Sequence, residues 1–418
     1  MRNENAGPEW QLLLICVQSN TDSHADNRIH ELILSGIDWP VLLKLAERHR
    51  VLGHLSRRLI GFSNSIVPDK VSDLLSSGFV INGLLNSHLA KELLRIIKIL
   101  ESKGINTIAY KGPALTKSIY GNLAMRPSID LDVIVPKSSV LDAQSVLEGI
   151  GYEPSAIYDK NQQYVISYLC GWETGYFRSS DDDVSINDNR VSTKVELHWN
   201  VSPVNFGFNL NMESIWERAE CFDLFGTIVK VPSANDMFLM LCVHAAKHSW
   251  SELQLISTLF QFLMQRPETD IDFVIQQSHK LGAKRIVIIN LLLVKATFSM
   301  RFSPSVEKEM EKDRKSHFIS QDVLKALIGD NQRTADILFA ASCFRLRERT
   351  ADKIKCIVFW IFIPVPDSKM ALPVLPEGAW FLYFLVRPVL LLLRSLKKHL
   401  RSVSARLTHA FHWLRCTI

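Results

Sequence analysis

The chain has 418 residues, of which 47% are hydrophobic and 22% are charged, as in ordinary globular proteins with a substantial core. This length indicates about two to three domains at roughly 150 residues each. The net charge of +5 is too modest to indicate a nucleic-acid-binding protein by itself.

Cysteine usage and the N-terminus indicate a protein of a reducing compartment. The seven cysteines are scattered and include no CxxC pair, which argues against a disulfide framework or a zinc site. The apolar run from Leu12 to Val17 is not followed by a small-residue cleavage pattern, so no secretory signal is predicted. We therefore expect a cytoplasmic protein.

Residues 1–100 are predicted to form packed helices. Asp38-Trp39-Pro40 is typical of a helix start, with Asp38 as the N-cap and Pro40 in the first turn. Apolar residues recur at helical spacing from Leu84 to Leu100. We interpret this region as a helical scaffold and its isolated histidines as structural.

The pattern changes between residues 101 and 150. Ile105 to Tyr110 is predicted to be a strand, and the Gly112-Pro113 turn begins a helix that ends at Tyr120. A second strand contains Asp130-Leu131-Asp132, and a further helix covers about Ser138 to Ile150. This order of strand, helix, strand and helix indicates an α/β or α+β unit.

Asp130 and Asp132 are two residues apart on the predicted strand, so their side chains point to the same face. Adjacent carboxylates repel, and each raises the pKa of the other unless a cation lies between them. Mg²⁺ prefers such oxygen ligands, so the pattern predicts a metal-dependent phosphoryl- or nucleotidyl-transfer site. The alternative is that the two aspartates cap backbone groups or form ion pairs with Arg126 and Lys111.

A later strand supplies a third carboxylate. Residues 152–194 are polar and are predicted to be irregular, with the acidic run at 181–183 as a solvated loop. From Thr193 to Asn200, apolar and polar residues alternate, which indicates a half-buried strand. Glu196 lies on its polar face, where it would complete a metal's shell or orient an acceptor hydroxyl as a base.

The Gly112 turn is a candidate phosphate site, because free backbone N–H groups at a helix N-terminus bind phosphate. Pro113 has no N–H group, so Gly112 and Ala114 are the backbone candidates. Lys111 or Arg126 would neutralise the phosphate charge.

Residues 233–350 are predicted to be helical, and Ser233 with Asp236 forms a helix start signal. His244 and His248 are four apart on the first helix of this region. An HxxxH pair can bind zinc, but no glutamate follows the first histidine and no third ligand is evident. We interpret them as packing near a cleft or as hydrogen-bonding groups for a substrate. Further helices are predicted at about 251–265, 271–280, 284–299, 320–328 and 334–348.

The segment from 351 to 418 differs from the rest. Its apolar run from Trp380 to Leu393 is interrupted by Arg387-Pro388 and is shorter than the roughly 20 apolar residues of a membrane span. From Arg394 onward there are basic but no acidic residues, with apolar residues at helical spacing. Such a basic amphipathic helix either lies on an anionic membrane surface or a protein partner, or packs internally.

These motifs resemble the uncharacterised nucleotidyltransferase family of the DNA polymerase β-type nucleotidyltransferase superfamily. The resemblance extends from about residue 10 to 390 and is sharpest at 111–135 and 195–199. The residues that carry it are Lys111-Gly112, Leu115, Tyr120, Arg126, Asp130-Leu131-Asp132, Glu196-Leu197-His198-Trp199, and His244-Ala245-Ala246-Lys247-His248 with Trp250.

The resemblance implies an α+β fold, in which a small mixed β-sheet core is flanked by helices, with N-terminal helices and a C-terminal helical domain. It also implies Mg²⁺-dependent transfer of a nucleotide from NTP, with Mn²⁺ as the alternative ion and Asp130, Asp132 and Glu196 as metal ligands. Similar proteins are often associated with the biosynthesis of polysaccharides or other surface polymers. The candidates for nucleotide or phosphate binding are Lys111, Gly112, Ala114, Arg126, His198, His244 and Lys247.

The chain departs from the family pattern at two places. The usual Gly-Gly or Gly-Ser turn is Lys111-Gly112-Pro113 here, so a serine hydroxyl is not available to grip phosphate. After Trp250, similar proteins carry an arginine and then an aspartate, where this chain has Glu252 and Thr258. If Glu252 and Thr258 contact the nucleotide or stabilise the helical domain, we expect the activity or specificity to differ from that of similar proteins.

We therefore predict a metal-dependent nucleotidyltransferase that moves an NMP group from NTP to a hydroxyl acceptor, in the cytoplasm or at the inner face of a membrane. One alternative is a catalytically silent nucleotide-binding or scaffold protein of a membrane-associated assembly. The absence of a dense basic face outside the tail argues against a second alternative, an RNA-modifying transferase. The predicted regions are 1–100 (helical), 101–232 (nucleotidyltransferase core), 233–350 (helical) and 351–418 (apolar, proline-rich and basic).

Overall fold

A computed structural model describes the greater part of the chain. The described residues are 7–18, 23–60, 62, 66–156, 162, 165, 171–178, 185–186, 189–190, 192–203, 208, 210–329, 344–363 and 375–396. The acidic run at 181–183, most of the helix predicted at 334–348 and the basic segment after residue 396 lie outside them.

The strands form a five-stranded mixed sheet and two hairpins. In chain order they are β1 (Ile108–Ala109), β2 (Asp130–Ile134), β3 (Glu153–Pro154), β4 (Glu173–Arg178), β5 (Ser185–Ile186), β6 (Asn189–Arg190), β7 (Thr193–His198), β8 (Glu220–Leu224) and β9 (Thr227–Val231). The sheet order is β1-β2-β7-β4-β3, and β5-β6 and β8-β9 pair separately. β2 and β7 are parallel, and the other neighbours are antiparallel. The predicted α+β fold with a small mixed sheet is confirmed.

Helices precede this sheet in the chain, as predicted. They are α1 (Pro8–Val17), α2 (Ser23–Leu34), α3 (Trp39–Arg48), α4 (Leu52–Leu59) and α5 (Asp69–Ser102). The Asp38 carboxylate accepts a hydrogen bond of 3.0 Å from the Val41 N–H group and caps α3, as the sequence predicts. Gly104 follows α5 with a left-handed φ of 78°, which a residue with a side chain rarely adopts.

The later helices also follow sequence signals. They are α6 (Gly112–Tyr120), α7 (Val140–Gly149), α8 (Met212–Glu217), α9 (Ala234–Lys247), α10 (Leu253–Gln265), α11 (Ile271–Lys280), α12 (Lys284–Phe298), α13 (Pro304–Lys312), α14 (Arg314–Ile328), α15 (Thr350–Phe362) and α16 (383–396). The Ser233 hydroxyl accepts the Asp236 N–H group and caps α9. The helix predicted at 320–328 begins earlier, because Asp313 caps α14 through the Lys315 N–H group.

Two hydrophobic clusters enclose the sheet. One contains the apolar residues of β2 and β7 together with residues of α5 and α7. The other joins the N-terminal helices to the helices after residue 233 and includes Ile108 and Ile134. Because side chains alternate along a strand, the polar residues of β2 and β7 lie on the face away from the first cluster. The division into four regions stays a prediction.

Two predictions for the strands were wrong. The segment predicted to be irregular contains β3 and β4, and β4 pairs with β7 along its whole length. Its sequence, Glu-Thr-Gly-Tyr-Phe-Arg, shows little apolar alternation, so pairing with β7 rather than local pattern defines it. The strand predicted from Ile105 to Tyr110 is only two residues long, since only Ile108 and Ala109 pair with β2.

Within the described part of the chain, no helix is both long enough and apolar enough to cross a membrane.

Candidate active site

The parallel pairing of β2 with β7 brings three carboxylates together. Asp132 is the register partner of Glu196, and Asp130 is the partner of Lys194. The register is well determined, because the alternating apolar residues of both strands fill the cluster on the opposite face. A slip of one residue would bury the carboxylates and expose that apolar face.

A cavity of about 290 Å³ opens onto this polar face. Its wall also includes the turn into α6, the loop before β2, the end of α9 and the start of α10. The charged side chains that line it are Arg50, Lys111, Arg126, Lys194, Lys247, Asp130, Asp132, Glu173, Glu196 and Glu252. The cavity thus combines carboxylates that suit a metal ion with cations that suit phosphate.

Asp132 is buried between two cationic partners. Lys111 Nζ lies 2.7 Å from Asp132 Oδ1, and His198 Nε2 lies 2.9 Å from the same oxygen. Although burial opposes ionisation, these partners lower the pKa of Asp132 to about 2. Asp132 is therefore ionised at neutral pH, and the ion pair with Lys111 that the sequence offered as an alternative is present.

Lys194 bridges the other two carboxylates. Its Nζ lies 2.6 Å from Glu196 Oε1 and 3.5 Å from Asp130 Oδ2. Burial raises the pKa of Asp130, and the neighbouring charges of Asp132 and Glu196 add to this increase. For Glu196, burial is outweighed by His198 and Lys194, which hold the pKa of this carboxyl well below its usual range. Lys111 and Lys194 thus already balance part of the negative charge of the carboxylates.

His198 lies behind the carboxylates and is 1% exposed. Its Nδ1 is 3.3 Å from Glu173 Oε2, on the side away from Asp132. Burial opposes protonation, but the interactions with Asp132, Glu196 and Glu173 raise the pKa of His198 to about 9. The ring is therefore an imidazolium at neutral pH and donates a proton to the hydrogen bond with Asp132.

Asp132, Glu196 and His198 form a group able to hold a metal ion, with one ligand atom from each within 4.8 Å of the others. Asp130 adds a further carboxylate on the same strand face. His198 Nε2 already shares a hydrogen bond of 2.9 Å with Asp132 Oδ1, whereas carboxylate oxygens suit a hard divalent ion. The donor set thus fits a divalent metal through its carboxylates, with His198 as their hydrogen-bonding support.

The turn into α6 lines the cavity with Lys111 and Gly112. Gly112 has a left-handed φ of 56°, and a Cβ atom there would lie 3.2 Å from the Asp130 carbonyl oxygen. A side chain at this position would therefore be strained and crowded. Ala114 does not line the cavity, because its side chain is buried in the cluster on the other face of the sheet.

Not all of the other residues predicted to bind the nucleotide line the cavity. Arg126, His244 and Lys247 line the cavity, whereas His198 lies beneath Asp132. Burial lowers the pKa of His244 well below its usual value and that of His248 to about 4, so both rings are neutral. Their centroids are 4.6 Å apart. Among the residues described, neither histidine belongs to a cluster able to hold a metal.

A family model for an uncharacterised nucleotidyltransferase matches residues 35–299, which is more than half of the chain. The chain belongs to this family. It is also similar to the crystal structure of an antigenic nucleotidyltransferase-like protein from Paracoccidioides brasiliensis, with 10% sequence identity and a TM-score of 0.30. That similarity covers 54% of this chain and 92% of the other. No curated protein matches the chain.

Sequence reasoning missed several residues that line the cavity. They are Arg50, Glu173, Lys194, Ser251 and Gln254. Lys194 could have been found, because it alternates with Glu196 on the same strand. Arg50 lies in a turn between helices and Glu173 on a strand that the sequence did not reveal, so neither gave a signal. Of the two positions after Trp250 that depart from the family pattern, Glu252 lines the cavity and Thr258 is buried in α10.

Proposed function

We propose that this chain is a Mg²⁺-dependent nucleotidyltransferase that moves an NMP group from an NTP to a hydroxyl acceptor and releases pyrophosphate. The supporting observation is the parallel pairing of β2 with β7, because of which Asp130, Asp132 and Glu196 share one wall of a cavity. Membership of the nucleotidyltransferase family supports the class of reaction. Mn²⁺, which also accepts carboxylate ligands, is the alternative ion.

A bound divalent ion would neutralise phosphate charge and stabilise the attacking and leaving oxygens. Asp130, Asp132 and Glu196 would hold it. The Asp132 side chain is 2% exposed, which limits it to this role. The side chain of Asp130 is 28% exposed and its pKa is raised, so Asp130 can also accept the proton of the acceptor hydroxyl, whereas the lowered pKa of Glu196 makes it a weaker base.

The phosphates would be bound by groups on the surrounding walls. Lys111 and Gly112 start α6 beside the carboxylates, and Arg126 lies on the loop before β2. Lys247, 3.9 Å from Glu173, and the neutral His244 lie at the end of α9. Cations and N–H donors placed in this way would orient the triphosphate for in-line attack.

The activity is tested with radiolabelled NTPs, Mg²⁺ and an extract of the host as the source of the acceptor. The wild-type protein is expected to label a product, and Asp130→Asn/Asp132→Asn, which changes charge but hardly shape, is expected to lose the labelling. Asp142→Asn, an exposed acid on α7, is the control and should retain it. Equal labelling by the wild type and the double variant would contradict the proposal.

A finer proposal concerns the acceptor. An acceptor hydroxyl in surface-polysaccharide biosynthesis is supported by the family resemblance alone. It would be tested by comparing polysaccharide precursors with unrelated hydroxyl compounds as acceptors in the labelling assay. Labelling of the unrelated compounds alone would remove this part of the proposal.

A peripheral position at an anionic membrane is supported by the exposed apolar surface near the C-terminus. Exposed apolar residues recur at helical spacing on α15 and α16, namely Ile354, Ile357, Val358, Phe362, Leu385, Val389, Leu392, Leu393 and Leu396. The segment from 394 to 418 contains basic but no acidic residues, which suits anionic lipid. Sedimentation with anionic vesicles should be lost in Leu385→Gln/Leu392→Gln/Leu396→Gln, and unchanged sedimentation of this variant would reject the membrane role.

A further inference from the structure

The five basic residues of the cavity differ in how they are paired. Lys111, Lys194 and Lys247 each have an acidic side chain within 4.0 Å. Arg126 forms no ion pair with a described residue, and Arg50 approaches only Glu252, at 3.8 Å. The two arginines are therefore the cavity cations whose charge is least satisfied within the described part of the protein.

The backbone of Arg126 is hydrogen-bonded, whereas its guanidinium has no hydrogen-bond or ion-pair partner among the described residues. Asn86 Nδ2 on α5 donates to the Arg126 carbonyl oxygen at 3.1 Å. Arg126 Nε is buried and makes no hydrogen bond to a described residue, and neither does the buried Ser128 Oγ two residues later. Both residues line the cavity. A buried donor without an acceptor is unfavourable, so within the described part of the chain this site lacks an acceptor group.

Arg50 is brought to the same cavity by its neighbour His49. The His49 Nδ1 atom accepts the Leu253 N–H group at 3.2 Å, and the His49 carbonyl oxygen accepts the Gln254 N–H group at 3.2 Å. These bonds join the turn after α3 to the start of α10. Arg50 itself has a left-handed φ of 57°, an unfavourable conformation for a residue with a side chain.

The two guanidinium groups act on each other as like charges. Burial lowers the pKa of Arg126, and the charge of Arg50 adds to the lowering, while Tyr120, Asp132 and Asp130 oppose it. Arginine nevertheless keeps its proton in proteins, so the pair remains doubly positive. The planar guanidinium matches the geometry of phosphate oxygens and can bind them in a bidentate manner.

We propose that Arg50 and Arg126 form an oxyanion site for a phosphate group, with Ser128 as an additional donor. Glu252 would be the internal anion that the ligand displaces from Arg50. The identity of the ligand rests on the proposed function: the phosphate belongs either to the polyphosphate tail of the NTP or to a phosphorylated acceptor. Because Arg50 lies in the turn after α3, the N-terminal helical region would then form part of the substrate site.

The site is tested by calorimetric titration of the full-length protein with tripolyphosphate, inorganic phosphate and ATP, in EDTA so that no metal contributes. Arg50→Gln and Arg126→Gln are expected to weaken tripolyphosphate binding roughly 10- to 100-fold, as for the loss of a charged hydrogen bond. Glu252→Gln, which removes the competing anion, is expected to strengthen it. Arg28→Gln on α2, where Arg28 pairs with Glu31, is the control and should leave it unchanged.

The probes distinguish the two sources of phosphate. Weaker binding of both tripolyphosphate and ATP by the arginine variants assigns the site to the NTP tail. Weaker binding of inorganic phosphate with unchanged ATP affinity assigns it to a phosphorylated acceptor. Thermal melting identifies variants that do not fold, and Arg126→Lys then replaces Arg126→Gln. If folded Arg50→Gln and Arg126 variants bind all three probes like the wild type, the oxyanion site is refuted, whether or not nucleotide transfer has been detected.

Discussion

Asp132 on β2 and Glu196 on β7 are direct register partners in a parallel strand pair. Parallel pairing keeps both side chains on the same face at the same level of the sheet, so the carboxylates of two distant segments share one cavity. Lys111, Lys194 and His198 balance their charge. This relationship makes an otherwise repulsive cluster compatible with a folded protein.

Gly112→Ala is expected to destabilise the protein and to weaken phosphate binding. Alanine at φ 56° is strained by about 1 kcal/mol, and its Cβ would also lie 3.2 Å from the Asp130 carbonyl oxygen. Gly121→Ala is the matched control, because Gly121 has a φ of 66° but open space around its Cβ position. The loss of unfolding free energy, measured by chemical denaturation, should therefore be larger for Gly112→Ala than for Gly121→Ala. Equal losses would mean that the contact with Asp130 has no effect.

Stability is expected to fall as the pH decreases from about 6.5 to 4, in part because of His49. Burial lowers the pKa of His49 to about 4, so the unfolded chain binds more protons than the folded chain within this range. The contribution of His49 is present above its unfolded pKa and amounts to about 3 kcal/mol by the usual conversion. Urea denaturation at several pH values in this range measures the change in the free energy of unfolding.

His49→Phe should show a weaker dependence on pH, since phenylalanine cannot titrate. It should also be less stable at pH 7 by about 1–3 kcal/mol, because the Leu253 N–H group loses its acceptor. His30→Phe, at an exposed position on α2, is the control and should retain the wild-type pH profile. An identical acid profile for His49→Phe and wild type would contradict the assignment to His49.

The sequence predicted the parts of the site that local pattern determines. The positions of Asp130, Asp132 and Glu196 on strands follow from alternation of apolar and polar residues, and this alternation also fixes the face that they share. Arg50 and Glu173 could not be found, because their positions depend on long-range contacts: Arg50 on the hydrogen bonds of His49 to α10, and Glu173 on the pairing of β4 with β7.

Similar limits apply to the fold. Caps at Asp38 and Ser233 identified helix starts, since each is a local hydrogen bond between a side chain and the backbone. The strand β4 escaped recognition because its neighbours in the sheet, rather than its own composition, stabilise it. The Lys111–Asp132 ion pair appeared among the alternatives, but its coexistence with a carboxylate cluster depends on Lys194 and His198 as further counter-ions.

His198→Gln is expected to reduce stability most below pH 6.5. The pKa of His198 is raised to about 9 in the folded protein, so its stabilising contribution is fully present below the unfolded pKa and is lost as the pH rises through 9. The difference in unfolding free energy between wild type and His198→Gln should therefore shrink from pH 6.5 to 9.5. A difference that is constant over this range would show that His198 is not an imidazolium at neutral pH.

The central claim is that the carboxylates of β2 and β7 hold one divalent cation site. The most direct measurement is Mn²⁺ binding to the full-length protein, followed by electron paramagnetic resonance, for the wild type, Asp132→Asn, Glu196→Gln and the control Asp142→Asn. We predict saturable binding by the wild type and the control, and at least roughly tenfold weaker binding when either carboxylate is removed, as for the loss of a charged ligand. Equal Mn²⁺ affinity in all four proteins, with all of them folded, would contradict the account.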